Sequence, residues 1–130
     1  MKLLRGHHLI CLHFFRGEGY DDVFVKNLGR VLVDISRGRG KIVEGADDVC
    51  HACPHLREGL CAYKKGEEEI RRLDALALTL LGVNEGEEIE WGDIKARLRD
   101  IFPDWVRKAC SKCEWIKVCR ETRLWKSLSA

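Results

Sequence analysis

CHACPHLREGLC, residues 50–61, and CSKCEWIKVC, residues 110–119, decide how this chain is read. Each holds a C-x2-C pair with a third cysteine behind it: Cys50, Cys53 and Cys61, then Cys110, Cys113 and Cys119. Seven residues separate the pair from the third cysteine in the first triplet and five in the second. An apolar residue, Leu56 or Ile116, stands three positions past each second cysteine. A C-x2-C turn can aim two sulfurs at one centre, which suits a tetrahedral metal or a cluster iron. Two such pairs in 130 residues, each with its own trailing cysteine, point to bound metal.

Thiolates suit zinc and iron–sulfur clusters alike. A closed four-cysteine zinc site would take Cys50, Cys53, Cys110 and Cys113 and leave Cys61 and Cys119 idle. Triplets fit better a cluster held by three cysteines with a fourth ligand from elsewhere, or one four-cysteine cluster drawing on both. An iron–sulfur cluster of 4Fe–4S type is therefore the expected cofactor, with zinc as the alternative; a pair of disulfides stapling the fold shares the same spacing. Pro54 follows Cys53, but neither triplet reproduces the C-x2-C-x2-C-x3-C run of bacterial ferredoxins, and spacing excludes that class.

A second group of donors opens the chain. In RGHHLICL, residues 5–12, His7 and His8 stand four and three positions before Cys11. If the segment is helical after Gly6, His8 and Cys11 share a face with His7 beside them. The functional reading is a cofactor-binding set of two imidazoles and a thiol, next to a cluster or around a second metal. Against it stands an ordinary buried cysteine flanked by Leu9, Ile10 and Leu12. His51 and His55 flank the first C-x2-C pair, and solvent or supporting roles suit them better than ligation. Trp105, Trp115 and Trp125 crowd the second triplet, where core filling outweighs base stacking. Asp47-Asp48 reads as a cap or turn. No G-x-S-x-G, H-E-x-x-H or P-loop occurs, so no catalytic residue is assigned.

Composition sets the context. With 45% hydrophobic and 34% charged residues the chain reads as one globular domain, residues 1–130, with enough length for a modest core. No apolar run reaches membrane-spanning length and the N-terminus lacks a signal-peptide layout. A cytoplasmic protein with no membrane partner is expected, and there seven cysteines bind metal more readily than they form disulfides. The net charge of +2 is unevenly spread. Residues 1–43 and 94–130 are basic and residues 44–93 acidic, so a basic end could meet nucleic acid, although a solvated face is favoured.

Hydrophobic periodicity supplies the elements. Val23, Phe24, Leu28, Val31, Leu32 and Ile35 predict a helix to about Ser36, capped by Asp21 or Asp22. Arg16-Gly17-Glu18-Gly19 breaks the chain before it. Arg37 to Gly40 reads as a turn and Lys41 to Glu44 as a short strand. Ile70, Leu73, Leu76, Ala77 and Leu80 predict a helix over 67–81 that Gly82 ends, with Glu67, Glu68 and Glu69 complementing its dipole. Val83 to Trp91 reads as a loop with a strand of two residues. A helix over 93–102 follows, then a separate one starting at Pro103, and a last basic helix over 119–128.

RGHHLICL, FRGEGY at 15–20, DDVCHACPH at 47–55 and C-x2-C-x-W-x3-C at 110–119 together resemble a small family of bacterial and archaeal proteins of unknown function. Its members are suggested to bind iron–sulfur clusters. The resemblance runs from Arg5 to Cys119; His51 and Glu114 depart from the family's usual residues without touching a ligand. It implies a cofactor, with an unidentified redox or protein partner, and no established reaction. The expected fold is mainly α with a minor short-strand element (α+β), one compact domain closed by a cysteine-ligated metal centre that brings the two triplets together.

Overall fold

A computed structural model of the chain describes residues 1–15, 20–62, 66–111, 113 and 116–129. The expected break at Arg16–Gly19 and the environment of Trp115 lie outside them.

Helix α2 (Asp22–Ser36) follows from its sequence. Asp21 caps it, its carboxylate accepting the backbone N–H of Phe24 at 2.8 Å, and Phe24, Leu28, Val31 and Ile35 bury one stripe. Helix α3 (Glu67–Leu81) ends at Gly82, whose φ of 73° puts it in the left-handed region. There the N–H groups of Gly82 and Val83 close onto the carbonyls of Thr79 (3.3 Å) and Leu78 (3.1 Å).

Four elements differ from the sequence expectation. Lys2–Leu4 forms a strand, β1, that periodicity does not announce. It pairs in parallel with β2 (Arg39–Ile42), which in turn pairs antiparallel with β5 (Glu88–Glu90). β2 thus starts two residues before the expected strand and absorbs part of the expected turn. Gly40 permits this, because a Cβ there would lie 2.6 Å from Cδ1 of Ile35.

Pro103 does not open a new helix. Helix α4 (Trp91–Trp105) runs through it and continues as a π-helical run, Val106–Cys110. Pro103 has no N–H to give the preceding turn, but Phe102 and Trp105, buried on either side of it, hold the helix on the core. The expected C-terminal helix is two, α5 (Ile116–Arg120) and α6 (Arg123–Ser129). Thr122 makes the break, its hydroxyl donating to the carbonyl of Cys119 at 2.7 Å and accepting from the N–H of Trp125 at 3.2 Å.

One core joins these elements. Phe14, Phe102 and Trp125 form an aromatic triangle with centroids 4.9–6.1 Å apart, which seats the N-terminal segment on α4. That segment holds a four-residue helix, α1 (His8–Cys11), followed by a 3-10 turn, Leu12–Phe14. Trp105 and Trp125 are 1% and 8% exposed, so both serve the core as expected. A hairpin, β3 (Leu56–Arg57) with β4 (Leu60–Cys61), carries the end of the first triplet. No described helix is long and apolar enough to cross a membrane.

Gly6 is the tightest point. A Cβ there would lie 2.4 Å from the carbonyl oxygen of Asp74, a backbone atom that cannot swing away. Gly6→Ala is expected to lose about 1–3 kcal/mol of stability to overpacking. Gly29→Ala, in open space within α2, should be neutral or gain up to about 1 kcal/mol. Urea unfolding of both variants checks this; equal effects would contradict the close approach.

Candidate metal centre

β1 delivers Arg5 into the interior, where its side chain has no exposed surface. A guanidinium there needs anionic partners. Glu67 takes both terminal nitrogens, at 2.5 and 3.2 Å, and Asp74 takes Nε at 2.8 Å. These two acids lie seven residues apart on α3, two turns along one face. Burial works against the charge on Arg5, but Glu67 and Asp74 outweigh it and lift its pKa above the ordinary value. Glu67 also accepts the N–H of Cys61 at 3.0 Å and Nε of Arg71 at 2.9 Å, tying α3 to the cysteine hairpin.

Two histidines follow, each on its own carboxylate. Nδ1 of His7 lies 2.6 Å from Oδ1 of Asp74, and Nδ1 of His8 lies 2.6 Å from Oδ2 of Asp47. The two rings stand 4.2 Å apart between centroids, and both side chains are 14% exposed. Burial opposes ionisation of Asp47, but His8 and the N–H groups of Arg5 and Cys50 hold it well below the usual carboxylate range. Asp74 is likewise depressed against its burial, by His7 and then Arg5. An ionised carboxylate only accepts, so each Nδ1 must carry hydrogen. Burial above all lowers the pKa of His7 and favours its neutral ring. Nε2 of His7 then holds a lone pair, and Asp47 in the same way fixes His8 in the tautomer that leaves Nε2 for a metal.

Among the described residues, donor atoms of His8, Asp47 and Cys50 all lie within 4.8 Å of one another. Asp47 is the least available of the three. Its Oδ2 accepts from the N–H of Arg5 (2.7 Å) and from His8, and its Oδ1 from the N–H groups of Val49 (2.9 Å) and Cys50 (3.0 Å). Four bonds saturate a carboxylate. Asp47 therefore orients His8 and the start of the first triplet, while His8 and Cys50 carry the donors free to ligate.

The other cysteines lie outside this donor group. Cys53 and Cys61 interact electrostatically, across a hairpin that sets Cys61 opposite Leu56. The N–H of His55 donates to Sγ of Cys53 at 3.5 Å, and Nη1 of Arg5 reaches Sγ of Cys50 at 3.8 Å. Burial pushes up the thiol of Cys11, and the charges of Cys110, Cys113 and Cys119 add to it. Burial comes first in raising these thiols: Cys50 and Cys110 are pushed up to about 12 and Cys119 to about 11, with Asp47 adding to Cys50 and Cys113 to the other two. Cys11, expected with His7 and His8, is not among the donors grouped with His8. Among the described residues no group of three donors within 4.8 Å combines the two triplets. His51 is largely exposed and His55 packs edge-on against Tyr20.

Sequence reasoning missed the carboxylates. Asp47 does cap a turn, but it also fixes His8; Glu67 does more than complement a dipole; Asp74 drew no notice. The available signals were the position of Asp47 just before Cys50 and the shared face of Glu67 and Asp74. Two surface hollows, one beside Arg37 and Trp91 and the other beside Val83 and Arg97, include none of these residues.

A family model described as "Protein of unknown function (DUF1284)" matches residues 19–119. The match takes in both cysteine triplets, Asp47, Glu67 and Asp74, and begins after the Arg5–Cys11 segment. No curated protein and no solved structure matches the chain.

Asp47→Asn replaces a saturated ionised acceptor with a group that must point a donor at backbone N–H groups. It is expected to cost about 3–5 kcal/mol in urea unfolding. Asp47, Asp74 and Glu67 have folded pKa values below the unfolded ones, so the stability they contribute is complete above about pH 5 and is lost as pH falls. His7, held neutral, acts in the same direction once the unfolded ring protonates below about pH 6.5. A stability that rises on acidification from pH 6 to 4 would contradict this assignment.

Proposed function

We propose that this chain, which belongs to the family of proteins of unknown function DUF1284, is a metal-binding protein. Its centre starts from His8 and Cys50 and is completed by Cys53 and Cys61. The group held is an iron–sulfur cluster of 4Fe–4S type, serving electron transfer or redox sensing with a protein partner. The observation that carries this reading is the placing of His8, its Nδ1 on an ionised buried Asp47, beside the Sγ of Cys50. A histidine fixed through one ring nitrogen by a carboxylate is the usual state of a metal-binding histidine.

The charge balance supports it. Of three depressed carboxylates, Asp74 and Glu67 pair with the fully buried Arg5 and Glu67 also with the half-exposed Arg71, while Asp47 bonds backbone N–H groups and His8. A thiol at Cys50, raised to about 12 beside Asp47, keeps its proton at neutral pH. A metal ion would offset the excess negative charge and take that sulfur as thiolate. The same high pKa argues against Cys50 as a catalytic nucleophile with His8 and Asp47, since reactive cysteines have depressed values. When bound, a cluster supplies one-electron chemistry. The chain's part is to orient His8 through Asp47 and to direct N–H groups of Arg5 and His55 at Sγ of Cys50 and Cys53, contacts of the kind that tune cluster potential.

One observation favours a second reading. The C-x2-C turn at Cys50 runs into a two-residue hairpin bearing Cys61, a form that also suits structural zinc in a binding module that uses the basic C-terminal end. Anaerobic purification with iron, sulfide and zinc analysis separates the two: a brown protein carrying iron and sulfide supports the cluster, a colourless one with zinc the alternative. His8→Ala and Cys50→Ser are each expected to lower the metal content while circular dichroism stays helical. Unchanged metal in both variants would remove this site.

A further inference from the structure

Three acids open helix α3, and they do not share one task. Glu68 and Glu69 are exposed, and Glu68 pairs with Arg72 on the surface. Glu67 is only 10% exposed and turns toward Arg5 and the cysteine hairpin. We infer that Glu67 is a positioning residue for the metal centre: it holds Cys61, the trailing cysteine of the first triplet, on the side of Cys50, and so sets how many thiolates the centre receives. This rests on the metal-binding reading above.

Two observations carry it. The first is an unbroken line of contacts. Oε1 of Glu67 accepts the N–H of Cys61 at 3.0 Å and Nη1 of Arg5 at 3.2 Å, and that same Nη1 reaches Sγ of Cys50 at 3.8 Å. One carboxylate oxygen and one guanidinium nitrogen thus stand between the first and the last cysteine of the triplet. Neither is free to swing away, because Asp74 holds Nε of Arg5 and Oε2 of Glu67 holds Nη2. The second is what the hairpin lacks. β3 and β4 have two residues each, joined by a turn with positive φ at Glu58 and Gly59, and a hairpin of that size is marginal alone. The bond from Cys61 to Glu67 fastens it to a helix of 15 residues.

The position of Cys61 matters to the chemistry. With His8, Cys50 and Cys53 alone, a tetrahedral metal keeps one place for water, as open sites do; with Cys61 the site is closed. A four-iron cluster likewise keeps one iron without a protein ligand until Cys61 arrives. Glu67 therefore decides between a closed centre and an open one, although it donates no ligand itself.

Cobalt(II) alone is the probe, because each thiolate bound to it adds to one charge-transfer band. The full chain, reduced and anaerobic, is titrated with it, and band intensity per bound cobalt is compared among variants. Cys61→Ser and Glu67→Gln are each expected to lose about a third of the three-thiolate intensity, and the double variant to lose no more than either alone. Arg71→Ala, which removes another partner of Glu67 and no contact to Cys61, should keep the full band with circular dichroism unchanged. Should Glu67→Gln unfold, Glu67→Asp decides in its place: it keeps the charge opposite Arg5, is one methylene too short to reach Cys61 as well, and should show the same loss. A full band in Cys61→Ser or in a folded Glu67 variant, or an additive loss in the double variant, overturns this role and leaves the centre at His8 and Cys50 standing. A band absent from the unmodified chain, or untouched by Cys50→Ser, overturns the metal-binding reading and the role of Glu67 with it.

Discussion

A guanidinium with no exposed surface cannot stand in a protein interior without anions around it, and Arg5 draws two of them onto one face of α3. That constraint organises much of the molecule. It places the N-terminal segment between α3 and the Asp47 turn, so that Gly6 passes within contact of the Asp74 backbone. It leaves Asp74 with a second oxygen for His7 and Glu67 with one for the cysteine hairpin. Desolvating such a group costs several kcal/mol, recovered only where every donor is met. A network of this kind contributes less to net stability than to fixing one arrangement of its members. Here that arrangement is two imidazoles side by side, each held by its own carboxylate.

The neighbouring cysteines give this arrangement its chemical direction. Hydrogen-bonded carboxylate–histidine pairs also serve general-base catalysis, and Cys50 next to His8 and Asp47 resembles a nucleophile with its base. The raised thiol at Cys50 and the saturated state of Asp47 weigh against that use and for one that brings its own positive charge. Metal binding would also add to folding free energy, since His8 and Cys50, 42 positions apart, come together only in the native chain.

The sequence made some of this legible. Helices α2 and α3 show in it because their stripes are periodic and their ends carry Asp21 and Gly82, local signals that tertiary contacts did not override. β1 does not show, because three residues have no period and exist as a strand only through pairing with Arg39–Ile42. Pro103 misleads for the opposite reason: its local signal is strong, but the buried Phe102 and Trp105 keep α4 continuous. In the site, cysteines and histidines stand out by type and spacing. Asp47 and Asp74 act on residues 39 and 67 positions away, and acidic residues are too common for such distant pairings to be read without a fold. That His8 lies beside Cys50 is equally a matter of packing.

The central claim is that Asp47 and Asp74 hold both histidines with hydrogen on Nδ1 and the lone pair on Nε2. Nitrogen-15 NMR of the imidazole side chains in the metal-free protein at neutral pH reads this directly. Both His7 and His8 should show a protonated Nδ1 coupled to a carboxylate and an unprotonated Nε2. A spectrum with hydrogen on Nε2 of either ring, or rapid exchange between tautomers, would contradict the account.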